Sequence, residues 1–237
     1  PEPEARVRVI FGTNEESGMA GVKHYFEQEE LPDFGFSPDA GYPLFNREMG
    51  IVNAHLSANR SGRRVVLEAS GGEALNMVAN QARAVVLPEY ADRASALLES
   101  FEREGSVEHR LQTHRRHGGP EVMARGISAH GGRPAGGVNA ISYLVSAIAE
   151  IARDVETLSP SSTGRVAVEP EIRALADILG FETRGDSLGI ACRDNESGEL
   201  SVNWGTIEID DTSVKTGLNI RYPVTADFDA ISGALRF

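Results

Sequence analysis

Three acidic residues near the start of the chain, Glu15, Glu16 and Asp39, have the types and placement for metal-assisted acid–base chemistry. Arg6-Val7-Arg8-Val9-Ile10-Phe11 alternates as a strand does, Gly12-Thr13-Asn14 ends it, and Glu15-Glu16 come directly after. Ser17-Gly18 then offers a helix start, with Val22, Tyr25 and Phe26 at helical spacing toward Glu30 and Pro32-Asp33 as the stop. A short strand, Phe34-Gly35-Phe36, leads to Pro38-Asp39. The three carboxylates therefore fall at the C-terminal ends of two strands joined by a helix, the edge at which α/β sheets gather their ligands. Adjacent side chains on extended backbone point to opposite sides. One glutamate can ligate a divalent metal while its neighbour takes a proton from water. By spacing alone, the pattern reads better as a solvated loop whose acids favour a helix N-terminus.

Three further positions carry polar chemistry between glycines or at strand ends. His130 lies in Gly126-Ile-Ser-Ala-His-Gly-Gly132, where flanking glycines let backbone approach a ligand and the imidazole can offer an N–H to a developing oxyanion. A histidine before a glycine pair is otherwise an ordinary turn residue. Asn76 comes after a glycine-rich turn in Gly-Gly-Glu-Ala-Leu-Asn-Met-Val, a setting that by default makes it a turn or cap residue. Arg221 ends an apolar strand before Tyr222-Pro223. Its guanidinium fork suits a bidentate grip on a carboxylate, although a surface arginine at a strand end is the commoner case.

Taken together, GTNEESG, the helix after it and FSPDAGYP closely resemble the central motifs of the M20 metallopeptidases, and in particular the PepV-type dipeptidases with a large lid domain. The resemblance implies that Glu15 is the general base, that Glu16 ligates one metal and that Asp39 ligates the other. Ser-Ala-His-Gly followed by Gly136-Gly-Val-Asn-Ala140 resembles the lid motif whose histidine stabilises the tetrahedral intermediate, a role that falls to His130. Asn76 resembles the substrate-contacting asparagine of an Asn-Met-Val-Pro segment, with Ala79 in place of the usual proline. Arg221, in Asn-Ile-Arg-Tyr-Pro, resembles the arginine that holds the substrate's C-terminal carboxylate.

The family also supplies a histidine ligand and a bridging aspartate upstream and a histidine ligand downstream, and no segment here matches them. Residues 1–237 are therefore expected to be the middle of a longer protein with an incomplete metal site. Residues 1–52 would be a partial catalytic domain and 53–237 a lid of two α+β halves, the second imitating the lid of a partner subunit. The activity implied for the parent, as a monomer or homodimer, is two-metal hydrolysis of dipeptides bearing a free carboxylate. Zinc is the first candidate metal, with manganese or cobalt as alternatives. The other readings are an M20 deacylase of N-acyl amino acids and a non-catalytic lid or dimerisation module.

Composition fits a globular chain, and the alternating sheet and helix patterns give it α/β (α+β) class. The 237 residues are 41% hydrophobic and 24% charged, and the net charge of −12 argues against a nucleic-acid partner. A single cysteine, Cys192, permits no intrachain disulfide and suits a reducing, cytoplasmic compartment. No apolar run is long enough to cross a membrane.

Periodicity predicts the secondary structure around these residues. Strands are expected over 50–56, 64–68, 82–87, 188–191, 199–209 and 213–221. Helices are expected after Pro88 and Asp92 with an Ala96, Leu97, Phe101 stripe, over 139–158, over 170–179 with Gly180 as stop, and from Asp227. The stretch 105–119, with His109, His114 and His117 beside Arg115 and Arg116, reads as a solvated or anion-contacting hairpin rather than a metal site.

Overall fold

In the smaller of two compact units, Pro1–Asn46, the expected helix forms as α1 (Ala20–Gln28). The computed structural model describes residues 6–15, 18–38, 46–103, 108–113, 119–158 and 166–235. Helix α1 starts later than Ser17-Gly18 because Asn14 and Met19 both take left-handed backbone, with φ of 65° and 58°. Met19 N–H donates to Asn14 O at 2.8 Å, and Ala20 N–H donates to Asn14 Oδ1 at 3.4 Å. An asparagine tolerates that conformation through such local bonds.

The strands expected over 6–11 and 34–36 do not form. Val7, Val9, Phe11, Phe34 and Phe36 are all exposed. Alternation marks a face to be buried, but a strand also needs a ladder partner, and the described residues of this unit contain no strand to supply one. Glu15 accordingly lies in a turn, not at a strand end.

The larger unit, Arg47–Phe237, is built on one sheet. Its strands are β1 (Gly50–Asn59), β2 (Val66–Gly71), β3 (Gln81–Val86), β4 (Glu108–Thr113), β5 (Pro120–Arg125), β8 (Ser201–Ile209) and β9 (Ser213–Tyr222). A two-residue hairpin, β6 (Arg193–Asp194) with β7 (Gly198–Glu199), stands apart. The order in the main sheet is β1-β9-β8-β2-β3-β5-β4, and every neighbouring pair is antiparallel. With the helices α2 (Ala91–Arg103), α3 (Ala140–Leu158), α4 (Pro170–Ile178) and α5 (Phe228–Ala234), this is the α+β architecture expected.

Helix α3 is the central packing element. Ile141, Leu144, Val145, Ile148 and Ile151 recur every three to four residues and are all buried, against β2, β3, β5 and β8. Each such side chain stabilises the fold by about 1.5–3 kcal/mol through removal from water. Helix α2 packs on β4, β5 and α3, and α4 packs on α3. Gly180 ends α4 at φ 38°, and Asp227 caps α5 by accepting from Asp229 N–H at 2.9 Å.

Two sequence expectations here need correction. Residues 188–191 are turn and irregular backbone; Leu188 and Ile190 are buried without joining a ladder. The 105–119 region supplies only one arm of a hairpin, β4, which pairs with β5; β5 itself carries no clear strand signature in sequence. His109 pairs with Glu102 of α2, while His114 and His117 lie outside the described residues.

Candidate functional site

The loop from Gly72 to Met77 lies across β8 at a bulge. The register of β8 on β9 shifts between Trp204 and Thr206, and a Cβ on Gly205 would sit 2.6 Å from Leu75 Cα. Glycine at that bulge is therefore what lets the loop carrying Asn76 touch the sheet. Asn203, fully buried on β8, fixes the loop: its Nδ2 donates to Leu75 O at 2.7 Å and to Met77 O at 2.8 Å. Only an amide NH2 can face two carbonyl oxygens, so the side-chain orientation of Asn203 is set by its partners.

The same loop is tied to the segment containing His130. Val78 N–H donates to Ala129 O at 2.8 Å, and Gly131 N–H donates to Asn76 O at 2.6 Å. A Cβ at Gly131 would lie 2.8 Å from Asn76 C and O, so the two backbones approach as closely as glycine allows. Gly132 N–H donates to His130 Nδ1 at 3.1 Å. With Nδ1 accepting, a neutral imidazole carries its proton on Nε2, leaving that N–H to donate outward.

Arg221 arrives at the same point from β9. A Cβ on Gly132 would lie 3.1 Å from His130 Nδ1 and 3.7 Å from Arg221 Cγ, so Gly132 is their shared neighbour. Ser201, opposite Arg221 on β8, has its Oγ 3.4 Å from Gly132 O. Arg221 Nε donates to Asn219 Oδ1 at 3.2 Å, and Asn219 Nδ2 donates to Asn53 Oδ1 at 2.7 Å. Asn53, Asn219 and Asn203 are cross-strand partners in register on β1, β9 and β8.

Of the six residues singled out in the sequence, three thus come together: Asn76, His130 and Arg221, an amide, an imidazole and a guanidinium. Glu15 belongs to the smaller unit and is exposed. Glu16 and Asp39 lie outside the described residues. Among the described residues, no group of three or more His, Cys, Asp or Glu is placed to hold a metal ion. None of their helices is long and apolar enough to cross a membrane. The sequence reading missed Asn203, Asn219 and Asn53. The available signal was an asparagine two residues before Arg221 on the same strand face.

Comparison with known proteins bears on what such a site serves. "Putative dipeptidase YtjP" of Bacillus subtilis (strain 168) is 33% identical over 233 residues, 95% of this chain and 47% of that protein. "Putative dipeptidase SH1171" of Staphylococcus haemolyticus (strain JCSC1435) is 29% identical over 238 residues, 94% of this chain and 47% of that protein. A "Putative dipeptidase" of Staphylococcus epidermidis (strain ATCC 12228 / FDA PCI 1200) is 28% identical over 239 residues, with the same coverages of 94% and 47%. Nearly the whole chain resembles proteins named as dipeptidases of this kind. It spans about half the length of these curated relatives. No protein-family model matches the chain.

Proposed function

We propose that this chain forms the substrate-gripping part and some of the catalytic part of a metal-dependent dipeptidase of the M20 type. The observation that carries the reading is the meeting of Asn76, His130 and Arg221 around Gly132. The similarity to proteins named as dipeptidases supports peptide hydrolysis at a general level.

Arg221 would take the free carboxylate of a short peptide, since its planar fork matches two carboxylate oxygens. His130 would donate from Nε2 to the carbonyl oxygen as it gains charge, and Asn76 would hold the substrate beside it. Glu15 would take a proton from the attacking water and pass it to the leaving amine. Glu16 and Asp39 offer carboxylate oxygens that zinc, manganese and cobalt all accept. A metal bound there would polarise the scissile carbonyl and acidify water.

The test uses the full-length protein that carries this chain, assayed with zinc or manganese on a dipeptide and on the same dipeptide with an amidated C-terminus. The expected result is hydrolysis of the free-carboxylate peptide, strong preference over the amide, and loss of that preference in Arg221→Met. Faster turnover of N-acyl amino acids than of dipeptides would point to a deacylase instead. Absence of hydrolysis would remove the reading.

A further inference from the structure

Behind the three meeting residues lies a row of asparagines that bonds Arg221 directly and holds Asn76 through the carbonyls on either side of it. Asn203 and Asn219 are 0% and 2% exposed, on the sheet face opposite to that of Val202, Trp204, Leu218 and Ile220. Asn203 Oδ1 has no hydrogen-bond partner, an arrangement that weakens the fold relative to an apolar residue of the same shape. A buried amide held on such terms calls for a compensating role.

We propose that Asn203 and Asn219 are paired positioning residues, Asn203 setting Asn76 and Asn219 setting Arg221, so that the Asn76 contact and the carboxylate contact on a short peptide are held at a fixed spacing. This rests on the assignment of Asn76 and Arg221 as substrate contacts. Asn203 donates to the carbonyls on both sides of Asn76, which fixes that residue's backbone from two directions. Asn219 accepts from Arg221 Nε, and that bond occupies one edge of the guanidinium. The two terminal NH2 groups are left to meet a carboxylate end-on, as a symmetric fork. Asn53, at the exposed end of the row, orients Asn219 by accepting from its Nδ2. Because Asn203 and Asn219 face each other across the ladder, the two contacts are referred to one rigid piece of sheet.

The experiment measures KM and kcat in the full-length protein for a dipeptide and its C-terminal amide. Asn219→Ala should raise KM for the free-carboxylate peptide by about tenfold, the size expected for one hydrogen bond to a charged group, with kcat and the amide kinetics little changed. Asn53→Ala, at an exposed position that does not threaten folding, should shift the same ratio in the same direction by less. Asn203→Ala should lower kcat/KM for both substrates alike, and should add little in an Asn76→Ala background. Arg221→Met serves as the reference. If it leaves the carboxylate preference intact, the assignment of Arg221 is wrong. If it abolishes the preference while Asn219→Ala and Asn53→Ala both keep it, the positioning role is refuted. Full additivity of Asn203→Ala with Asn76→Ala would refute the other half.

Discussion

Removing the carboxylate of Glu169 tests how the larger unit closes its sheet. Glu169 and Arg60 form an ion pair in which both side chains are 1% exposed, at 2.8 Å. Glu169 Oε1 also accepts from Val65 N–H at 2.8 Å and Val66 N–H at 3.1 Å, at the start of β2. Arg60 donates further to Val66 O, Leu67 O and Asp210 O, so the pair ties the end of β1 to β2 and to the β8–β9 turn. Glu169→Ala would leave a buried guanidinium without its counter-charge and two backbone donors without an acceptor. Breaking one side of such a pair costs about 3–5 kcal/mol, and the three carbonyls still facing Arg60 place the loss toward the lower end. Glu169 also sits at φ 43°, which costs a residue with a side chain about 1–2 kcal/mol in backbone strain. Glu169→Gly should therefore be about 1 kcal/mol less destabilising than Glu169→Ala, the reverse of the usual order. Urea unfolding followed by fluorescence of Trp204, the single tryptophan and 4% exposed, reads both variants. A loss under about 1 kcal/mol in Glu169→Ala, or no advantage for glycine, would refute the reasoning.

Two other outcomes are expected. Gly131→Ala would press a methyl against Asn76 backbone at 2.8 Å, where nothing flexible can yield. Displacing the Asn76 loop by a fraction of an ångström should lower kcat/KM of the full-length protein by about 10- to 100-fold. Circular dichroism should show the fold retained; wild-type kinetics would count against the site. Asp194 closes the β6–β7 turn, accepting from Ser197 N–H and Oγ and from Thr225, which hold its carboxyl down at about 2. A depressed carboxyl stabilises the fold above the ordinary aspartate value and loses that contribution as the pH falls toward 2. The urea midpoint should thus drop more steeply on acidification in the parent than in Asp194→Asn, and parallel pH profiles would show that the turn contributes nothing.

The elements most legible in sequence were those whose local pattern and tertiary role agree. The 139–158 stripe became α3 because its apolar face is the one the sheet needs, and Asn139 completes it by capping Ile141 N–H while donating to Trp204 O. The strands expected at 50–56, 82–87 and 213–221 appear within a few residues of their bounds as β1, β3 and β9. Failures arose where pattern and partner part company. Residues 6–11 alternate yet meet no neighbouring strand among the described residues. Residues 188–191 are apolar yet bury Leu188 and Ile190 from a turn that Gly189 enters at φ 69°.

The site divides along the same line. His130, Asn76 and Arg221 stood out through resemblance, since each alone is an ordinary turn or strand-end residue. The asparagines behind them were visible as letters but not as a row. Asn203 meets Leu75 and Met77 across more than a hundred residues of chain, a relation that no local periodicity encodes. What the sequence did hold was an amide on the strand face opposite Val202 and Trp204, the face that Asn219 and Arg221 share. Asn203 sits directly beneath Asn76, and its counterpart Asn219 sits beside Arg221. The two buried amides of that face are therefore the two positions from which the proposed grip on substrate is set.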